Sequence, residues 1–390
     1  MKILVLSFYF PPDLSAGSFR MKALVDQLIS LPNIEVEIVT TTPNRYASFE
    51  IDLDTQEFKS NLTIYRIKLP EHKSGMIDQA KAFFSFYKKA LEYVENEDYN
   101  LVFATSSRLF TAFLGARIAN KKKLPLYLDI RDIFVDTLKD IINPLMFFFL
   151  KPVLNGVENY TFFNAKHINL VSKGFKGYFI ERFKNPRYSC FTNGIDDEFI
   201  DCDFNGGFSY TNNKIKTIVY AGNIGEGQGL HKIIPMLAKK LSEDYYFIIV
   251  GDGGRLPALK NSIKNLKNVE LIQPVKRTEL KKFYSQADVL FLHLNNYSAF
   301  EKVLPSKIFE YAATGKPLLA GVAGYAAEFI ESEVVNSAVF PPNNIEVALS
   351  VLKTLDLQLV NRSTFVDQYS RKYIMSEMAL SIVNIRNSKQ

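Results

Sequence analysis

Short aliphatic runs alternate with longer helical stretches along this chain, and this alternation restricts the fold more than any other feature. Between the predicted helices, each run is apolar and bounded by turn residues, which is typical of strands buried on both faces of a parallel sheet. In the first half we predict strands at 2–7, 36–40, 62–67, 101–104, 124–129 and 167–171. Helices are predicted at 18–30, 79–97, 110–121, 144–165 and 175–183. This order indicates an α/β unit with helices on both sides of the sheet.

A second series of the same kind begins near residue 216. Its predicted strands lie at 217–220, 246–250, 269–271, 289–292 and 317–320, and its predicted helices at 230–241, 256–264, 279–286, 307–314 and 326–331. A segment rich in Asp, Asn and Gly at 196–214 separates the two series and is expected to be a hinge. The 390 residues suit two domains. We place them at 1–195 and 215–365, followed by a helical end at 366–390.

The composition excludes several classes of protein. Apolar residues make up 47% of the chain and charged residues 23%, as in a globular protein. Cys190 and Cys202, with four histidines, offer neither a disulfide framework nor metal-ligand spacing, so no metal site is expected. The net charge of +6 is spread over helices that also carry acids, which argues against nucleic acid and favours anionic lipid or diphosphates. No apolar stretch is long enough to cross a membrane, and the N-terminal run reads as a strand, so we expect a cytoplasmic protein.

The segment 301–319, EKVLPSKIFEYAATGKPLL, carries the strongest functional signal. Ser306 is expected to cap a helix, and Lys307 falls in its first turn, where backbone amides are free and anions are favoured. Glu310 follows three residues later, so both side chains project from one face. A cation and open amides beside a carboxylate suit a ligand with phosphates at one end and sugar hydroxyls at the other. The alternative is a capped surface helix with a chance ion pair.

Glycine-rich and charged segments follow other predicted strands, where parallel sheets bind their ligands. Glycine turns after strands let the backbone approach a diphosphate closely. The candidates there are Gly17, Gly222, Gly225, Gly251 and Gly253, with the charged residues Arg255 and Arg277 close to the later turns. In the first half, Asp129, Arg131 and Asp132 follow a buried strand, and 106–108 follow the preceding one. Charges placed there pair with each other or serve a cleft, and Asp132 lies furthest beyond the strand.

The block at 141–152, IINPLMFFFLKP, is apolar but too short to span a bilayer. It is either a buried core helix or an interfacial element with Phe side chains in lipid and Lys139 and Lys151 at the headgroups. The stretch at 83–89, FFSFYKK, has the same character.

From Glu310 to Pro317 the sequence EYAATGKP resembles the carboxylate-bearing segment of retaining family-four glycosyltransferases. The turn at 221–229 is similar to that family's Gly-Arg…Lys-Gly segment, with Asn223 and Gln228 at the arginine and lysine positions. Where the family has a second Glu, this chain has Lys302, and Glu301 stands one position away. The resemblance implies the GT-B fold: two facing Rossmann-like domains with an interdomain cleft, and a C-terminal helix that returns to the first domain.

The resemblance also implies roles for these residues. Glu310 would hold the donor ribose, and Lys307 with Arg277 would neutralise the departing diphosphate. The implied catalytic residues are Asp132, Glu301 and Lys307. The implied donor site comprises Gly17, Gly222, Asn223, Gly225, Gln228, Gly251, Gly253, Arg255, Val275, Arg277, Ser306, Lys307 and Glu310. The implied acceptor site comprises Ser106, Asp129, Arg131 and Asp132.

The implied reaction is the retaining, metal-independent transfer of a hexosyl residue, possibly an amino- or deoxy-sugar, in O-antigen or capsule synthesis of the fucosamine-transferase type. The expected donor is a nucleoside diphosphate sugar, UDP-linked by preference. The expected acceptor is a polyprenyl-diphosphate-linked saccharide at the cytoplasmic face of a membrane, and no cofactor is needed. Two alternatives remain: a UDP-sugar epimerase of the same fold, and a catalytically inactive sugar-binding subunit, which the uncharged Asn223 and Gln228 would suit.

Overall fold

The computed structural model describes residues 1–13, 15–43, 54–69, 76–106, 109–200, 204 and 215–386. The chain forms two compact units, of which the first comprises Met1–Asn193 with Arg371–Gln390 and the second Gly194–Ser370. Of the predicted hinge, residues 201–203 and 205–214 lie outside the described residues, and 196–200 belong to the second unit.

The described strands are numbered in chain order as follows: β1 Lys2–Leu6, β2 Glu35–Thr41, β3 Gln56–Lys59, β4 Leu62–Ile67, β5 Leu101–Thr105, β6 Leu126–Ile130, β7 His167–Leu170, β8 Arg187–Ser189, β9 Lys216–Ala221, β10 Tyr245–Val250, β11 Val269–Ile272, β12 Val289–His293, β13 Leu318–Gly321 and β14 Ser337–Phe340. The described α-helices are α1 Ala16–Ser30, α2 Met76–Val94, α3 Leu109–Lys122, α4 Phe134–Ile141, α5 Pro144–Phe163, α6 Lys176–Ile180, α7 Asp197–Ile200, α8 Leu230–Lys240, α9 Leu256–Ile263, α10 Arg277–Gln286, α11 Lys307–Ala313, α12 Tyr325–Glu333, α13 Ile345–Leu352, α14 Ser363–Gln368 and α15 Arg371–Val383.

The first unit contains a sheet of strand order β3-β4-β2-β1-β5-β6-β7-β8. All neighbouring strands are parallel except β3 and β4, which pair antiparallel at the edge. The central strands are buried, as their continuous aliphatic runs predicted. The chain winds outward in one direction from β1 and in the other from β5, so the loops that follow these two strands diverge. That point lies at the carboxyl ends of the strands, where parallel α/β sheets bind ligands.

The second unit contains a fully parallel sheet of order β11-β10-β9-β12-β13-β14. Side chains that alternate along its strands form two cores, one on each face: Val219 and Ile248 belong to one, and Ile218 and Phe247 to the other. The winding direction reverses between β9 and β12, which makes the loops after these strands the expected ligand site. The α/β class with two Rossmann-like sheets is confirmed.

Three strands and three helices were not predicted: β3, β8, β14, α4, α7 and α13. The strands have three or four residues and lie at sheet edges, where a long aliphatic run is not required. The predicted helical end at 366–390, of which 387–390 lie outside the described residues, is divided into α14 and α15 by a break at Tyr369 and Ser370. Helix α15 packs against α1 within the first unit.

Candidate functional site

Helix α11 is fixed beneath the carboxyl end of β9 by the buried side chain of Tyr311. The amide of Ala221, the last residue of β9, donates a hydrogen bond of 2.9 Å to the Tyr311 hydroxyl. That hydroxyl also lies 3.3 Å from the Ala221 carbonyl, to which it donates. Because α11 is held there, Lys307 and Glu310 in its first turn are presented at the point where the winding direction of the sheet reverses.

Lys307 crosses directly over the glycine that follows β9. A Cβ built on Gly222 would lie 3.1 Å from Cε of Lys307 and 3.0 Å from the hydroxyl oxygen of Tyr220. A side chain at this position would therefore push the lysine away. The structure brings together Gly222 and Lys307, two residues that the sequence assigned to the same site from segments far apart in the chain.

The Glu310 carboxylate lies at the centre of a small polar cluster. One oxygen is 3.2 Å from Nζ of Lys307 and accepts a hydrogen bond of 3.4 Å from the Tyr284 hydroxyl, and the other is 3.3 Å from Nη2 of Arg277. The Glu310 side chain is 12% exposed, so solvent still reaches it. Burial and the Glu310 charge raise the pKa of Tyr284 well above its usual value, so its hydroxyl remains a donor. Tyr284 was not recognised in the sequence.

Arg277 is surrounded by three carboxylates. Besides Glu310, its guanidinium binds Asp196 and, at 2.7 Å, Glu198, and it stacks on the ring of Phe199 at 4.9 Å. Burial acts to lower the pKa of Arg277, but Glu310, Asp196 and Glu198 raise it above its ordinary value. Carboxylates thus compensate the charge of Arg277 in this structure, and its role in neutralising a departing diphosphate stays a prediction. Its contact with Glu310 makes it a positioning group.

The loop after β9 is closed by the two residues that replace the family's cations. Nδ2 of Asn223 donates to Oε1 of Gln228 at 2.8 Å, and the amide of Gly225 lies 3.3 Å from the same oxygen. A Cβ on Gly225 would stand 2.4 Å from Nδ2 of Asn223, so a side chain there would displace the Asn223 amide. Asn223 and Gln228 thus shape the loop through a bond to each other.

A second glycine turn, after β10, lies against the first. A Cβ on Gly251 would stand 1.8 Å from the carbonyl oxygen of Gly222, and one on Gly253 would stand 2.6 Å from that of Ile224. The amides of Gly222 and Ile224 donate to the carbonyls of Val250 and Asp252 at 2.9 and 2.8 Å. The two turns are therefore packed backbone to backbone, which explains why the candidate glycines occur in both.

Glu226, in the same loop, was missed by the sequence analysis. It accepts a hydrogen bond of 2.7 Å from the Tyr297 hydroxyl and pairs with Arg255 and Lys232. Burial acts to raise the pKa of Glu226, but the Tyr297 hydroxyl and the Arg255 charge outweigh it and lower the pKa to about 2. Arg255 is thus engaged by a carboxylate. In the sequence, the one indication that Glu226 has a role was its position as the single acidic residue in the glycine-rich segment 221–229.

His293, the last residue of β12, is hydrogen-bonded to the loop after β9. The sequence did not indicate this role. Its Nε2 accepts a hydrogen bond of 3.1 Å from the amide of Asn343, so its Nδ1 donates to the carbonyl of Gln228 at 2.7 Å. Burial lowers the pKa of His293 to about 4 and keeps the ring neutral.

Two expectations about the start of α11 require correction. Ser306 occupies the position before the helix, but it has helical dihedral angles (φ −62°, ψ −24°) and its side chain makes no capping bond. The amides of Ile308 and Phe309 donate to the carbonyls of Pro305 and Ser306, so they are not open to a ligand.

Two other predicted site residues lie outside α11. Glu301 is exposed in a 3₁₀ turn, Ser298–Lys302, and Val275 is partly buried before α10.

In the first unit, Asp129 is a structural residue, and its assignment to acceptor binding is wrong. Its two oxygens accept hydrogen bonds of 2.9 Å from Nε and Nη2 of Arg20, and a third of 2.8 Å from Asn169. The side chains of Asp129 and Arg20 are both fully buried. This pair fixes α1 to the sheet, so the carboxylate is unable to meet a ligand.

Other predicted residues of the first unit do meet at the divergence between β1 and β5. The hydroxyl of Ser106 accepts a hydrogen bond of 3.0 Å from the amide of Arg131, and a Cβ on Gly17 would lie 3.4 Å from Nη1 of Arg131. Burial, with the like charge of Arg20, lowers the pKa of Arg131 to about 10. Ser107 and Arg108 lie outside the described residues.

Asp132 differs from Asp129 in its surroundings. Part of its surface meets solvent. Desolvation by neighbouring protein atoms raises the pKa of Asp132 to about 6, against the opposing effect of the Arg131 charge. A carboxyl with this pKa is ionised at neutral pH and still basic enough to accept a proton.

Within the described part of the chain, no helix has the length and apolar character needed to cross a bilayer. The same residues include no group of three or more His, Cys, Asp or Glu side chains arranged to hold a metal ion.

These features define a two-unit α/β protein of the GT-B kind, with a candidate ligand site at the switch point of its second sheet. Residues 208–371 match the family described as "Glycosyl transferases group 1". The second unit thus carries a group 1 glycosyltransferase domain, and the chain is an enzyme of the glycosyltransferase class.

Similar proteins include an uncharacterized glycosyltransferase, MJ1069, of Methanocaldococcus jannaschii, which is 24% identical over 69% of this chain and 68% of its own length. The putative colanic acid biosynthesis glycosyl transferase WcaI of Escherichia coli is 25% identical over 42% of this chain and 41% of its own. Among solved structures, Anabaena HepE in complex with UDP-glucose superposes with a TM-score of 0.68 at 16% identity, over 98% of this chain and 100% of that one. This last likeness concerns the fold.

Proposed function

We propose that this enzyme transfers a hexosyl residue from a nucleoside diphosphate sugar, UDP-linked by preference, to a hydroxyl of a lipid-linked saccharide during cell-surface polysaccharide synthesis. The observation that carries the proposal is the pair Lys307 and Glu310, held beside Gly222 at the switch point of the second sheet. The name of WcaI supports the polysaccharide context, and the UDP-glucose complex of HepE supports the donor class.

In this proposal the donor bond between the sugar C1 and the diphosphate oxygen breaks, and the acceptor oxygen forms the new bond to C1. Lys307 supplies the positive charge that the departing diphosphate needs, which is the largest electrostatic demand of the reaction. Glu310 accepts hydrogen bonds from the ribose hydroxyls, while Arg277 and Tyr284 hold its carboxylate in place. The resemblance to retaining transferases supports retention of configuration without a metal or cofactor.

The first unit would bind the acceptor. Asp132 is the group proposed to take the proton from the acceptor hydroxyl, since its pKa of about 6 leaves it ionised at neutral pH. Arg131 precedes Asp132 in the chain; its backbone amide donates to the Ser106 hydroxyl, and its guanidinium lies beside Gly17. A lipid-linked acceptor implies that the enzyme works as a peripheral protein at the cytoplasmic face of a membrane.

The donor half of the proposal is tested by calorimetric titration with UDP-, GDP- and dTDP-sugars, followed by a transfer assay with the sugar that binds. Lys307→Ala should lower both donor affinity and turnover, because the diphosphate charge then lacks its counterion. Lys282→Ala is the matched control, since this lysine is exposed on α10 of the same unit. Unchanged affinity and turnover in Lys307→Ala would remove Lys307 from the site. Formation of an isomeric UDP-sugar without any acceptor would indicate an epimerase instead.

A further inference from the structure

The first half of α5, Pro144–Val153, exposes apolar side chains where a core helix would bury them. Leu145, Phe148 and Phe149 are each 68% exposed, and Val153 is 65% exposed. Met146 and Leu150 are 39% and 38% exposed. The second half of the same helix packs normally, with its buried residues beginning at Leu154. We refer to Pro144–Val153 as the apolar half-helix.

The distribution of these side chains around the helix axis indicates what covers them. With 3.6 residues per turn, the exposed apolar positions from Phe148 round to Leu150 span about 200° of the circumference. An amphipathic helix that packs on one protein surface needs a stripe of about 100°. A partner protein with one flat surface would leave half of this arc in water, whereas lipid chains surround an inserted rod on every side.

Length and charge agree with a lipid environment. The apolar half-helix is about 15 Å long at 1.5 Å per residue, which is about half of the 30 Å hydrocarbon core of a bilayer. It could enter one leaflet but not cross both. Lys139, near the end of α4, precedes the apolar half-helix, Lys151 lies within it, and both are exposed; the whole chain carries a net charge of +6. Lysines at this position favour anionic headgroups, with their aliphatic stems in the interface.

We propose that the apolar half-helix inserts into one leaflet of an anionic lipid bilayer and anchors the first unit there. The sequence left a buried core helix as the alternative for this segment, and the exposure of its side chains contradicts that alternative. This anchor rests on the proposed function, because an enzyme held at the membrane surface is close to a lipid-linked acceptor. The experiment below uses neither donor nor acceptor, so its failure and that of the proposed reaction are separate results.

The chain contains no tryptophan, which makes a single introduced one a unique fluorescent probe. Phe149→Trp places the probe on the apolar half-helix. Phe58→Trp is the matched control, because Phe58 is 71% exposed on the edge strand β3 of the same unit. With vesicles of phosphatidylglycerol and phosphatidylethanolamine, the emission of Phe149→Trp should shift to the blue, and lipids brominated along the chain should quench it. Emission from Phe58→Trp should not change.

Flotation with the same vesicles measures the anchor itself. The wild-type chain should float, and the double variant Phe148→Ser/Phe149→Ser should partition at least about tenfold less into the lipid fraction. Both positions are exposed, so the variant should retain the wild-type circular dichroism spectrum and thermal midpoint. Lys151→Glu should weaken flotation with anionic vesicles more than with phosphatidylcholine vesicles.

Three results would overturn the proposal. The first is a wild-type chain that stays in the soluble fraction with every vesicle. The second is equal flotation of the wild-type chain and the double variant. The third is a wild-type dimer in sedimentation velocity that the double variant converts to monomer without any change in flotation, since a second copy would then be the occupant of this surface.

Discussion

Replacing Asp129 with asparagine separates a structural role of this carboxylate from a role in binding. Three hydrogen bonds from Arg20 and Asn169 end on its oxygens, and the Asp129 and Arg20 side chains are fully buried. Asparagine keeps the shape but removes the negative charge, and its NH₂ group would face a donor. Removing one partner of a buried ion pair costs about 3–5 kcal/mol, because the remaining charge has no counterion. We expect Asp129→Asn to lower the free energy of unfolding of the first unit by that amount.

Urea unfolding followed by circular dichroism gives the change in free energy, and hydrogen exchange of peptides from α1 and β6 assigns it to the first unit. Asp132→Asn is the matched control: its carboxyl reaches solvent, so stability should change little while transfer is lost. The double variant Arg20→Met/Asp129→Leu should be more stable than Asp129→Asn, because it removes both charges. If Asp129→Asn unfolds like the wild-type chain yet loses transfer, the structural interpretation of Asp129 is refuted.

Three further predictions follow from the two sites. Gly251→Ala should lower UDP-sugar affinity in calorimetry at least about tenfold, since its Cβ would stand 1.8 Å from the Gly222 carbonyl. Gly254→Ala is the control, because its Cβ would meet nothing within 4 Å and its affinity should be normal. An equal loss of affinity in both variants would contradict the role of the Gly251 contact. With its pKa raised to about 6, Asp132 should make the transfer rate fall as the pH drops through about 6, because the protonated carboxyl no longer accepts a proton; an Asp132→Asn variant that retains this acid limb would assign it to another group. Tyr311→Phe should reduce the unfolding free energy in urea by about 1–3 kcal/mol, because the Ala221 amide loses its acceptor; an unchanged midpoint would show that the bond contributes nothing.

The central strands were predictable because their side chains face protein on both sides. Residues 101–104 of β5 and 289–292 of β12 are uninterrupted apolar runs, and short runs of this kind between turns are typical of strands buried on both faces. The short edge strands β3 and β14 lack that constraint: β3 in particular exposes Phe58 and contains Glu and Lys. Their pairing is decided by neighbours that adjacent sequence does not reveal.

The candidate site was predictable where both partners lie in one segment. Lys307 and Glu310 are three residues apart, so helix geometry alone puts them on one face. The partners of Asp129 and Arg277 lie far away in the chain: Arg20 precedes Asp129 by 109 residues, and Glu310 follows Arg277 by 33. Sequence identifies such a charge but not the direction in which its side chain turns. Asp129 turns inward and Asp132 outward, although only two residues separate them.

The backbone contact between the turns after β9 and β10 has a consequence for redesign of this enzyme. With Gly251 against the Gly222 carbonyl and Gly253 against the Ile224 carbonyl, neither of these two positions has room for a side chain unless the first turn moves too. Libraries that vary one turn at a time will therefore return mostly inactive clones, whereas paired variation of the two turns lets their backbones adjust together.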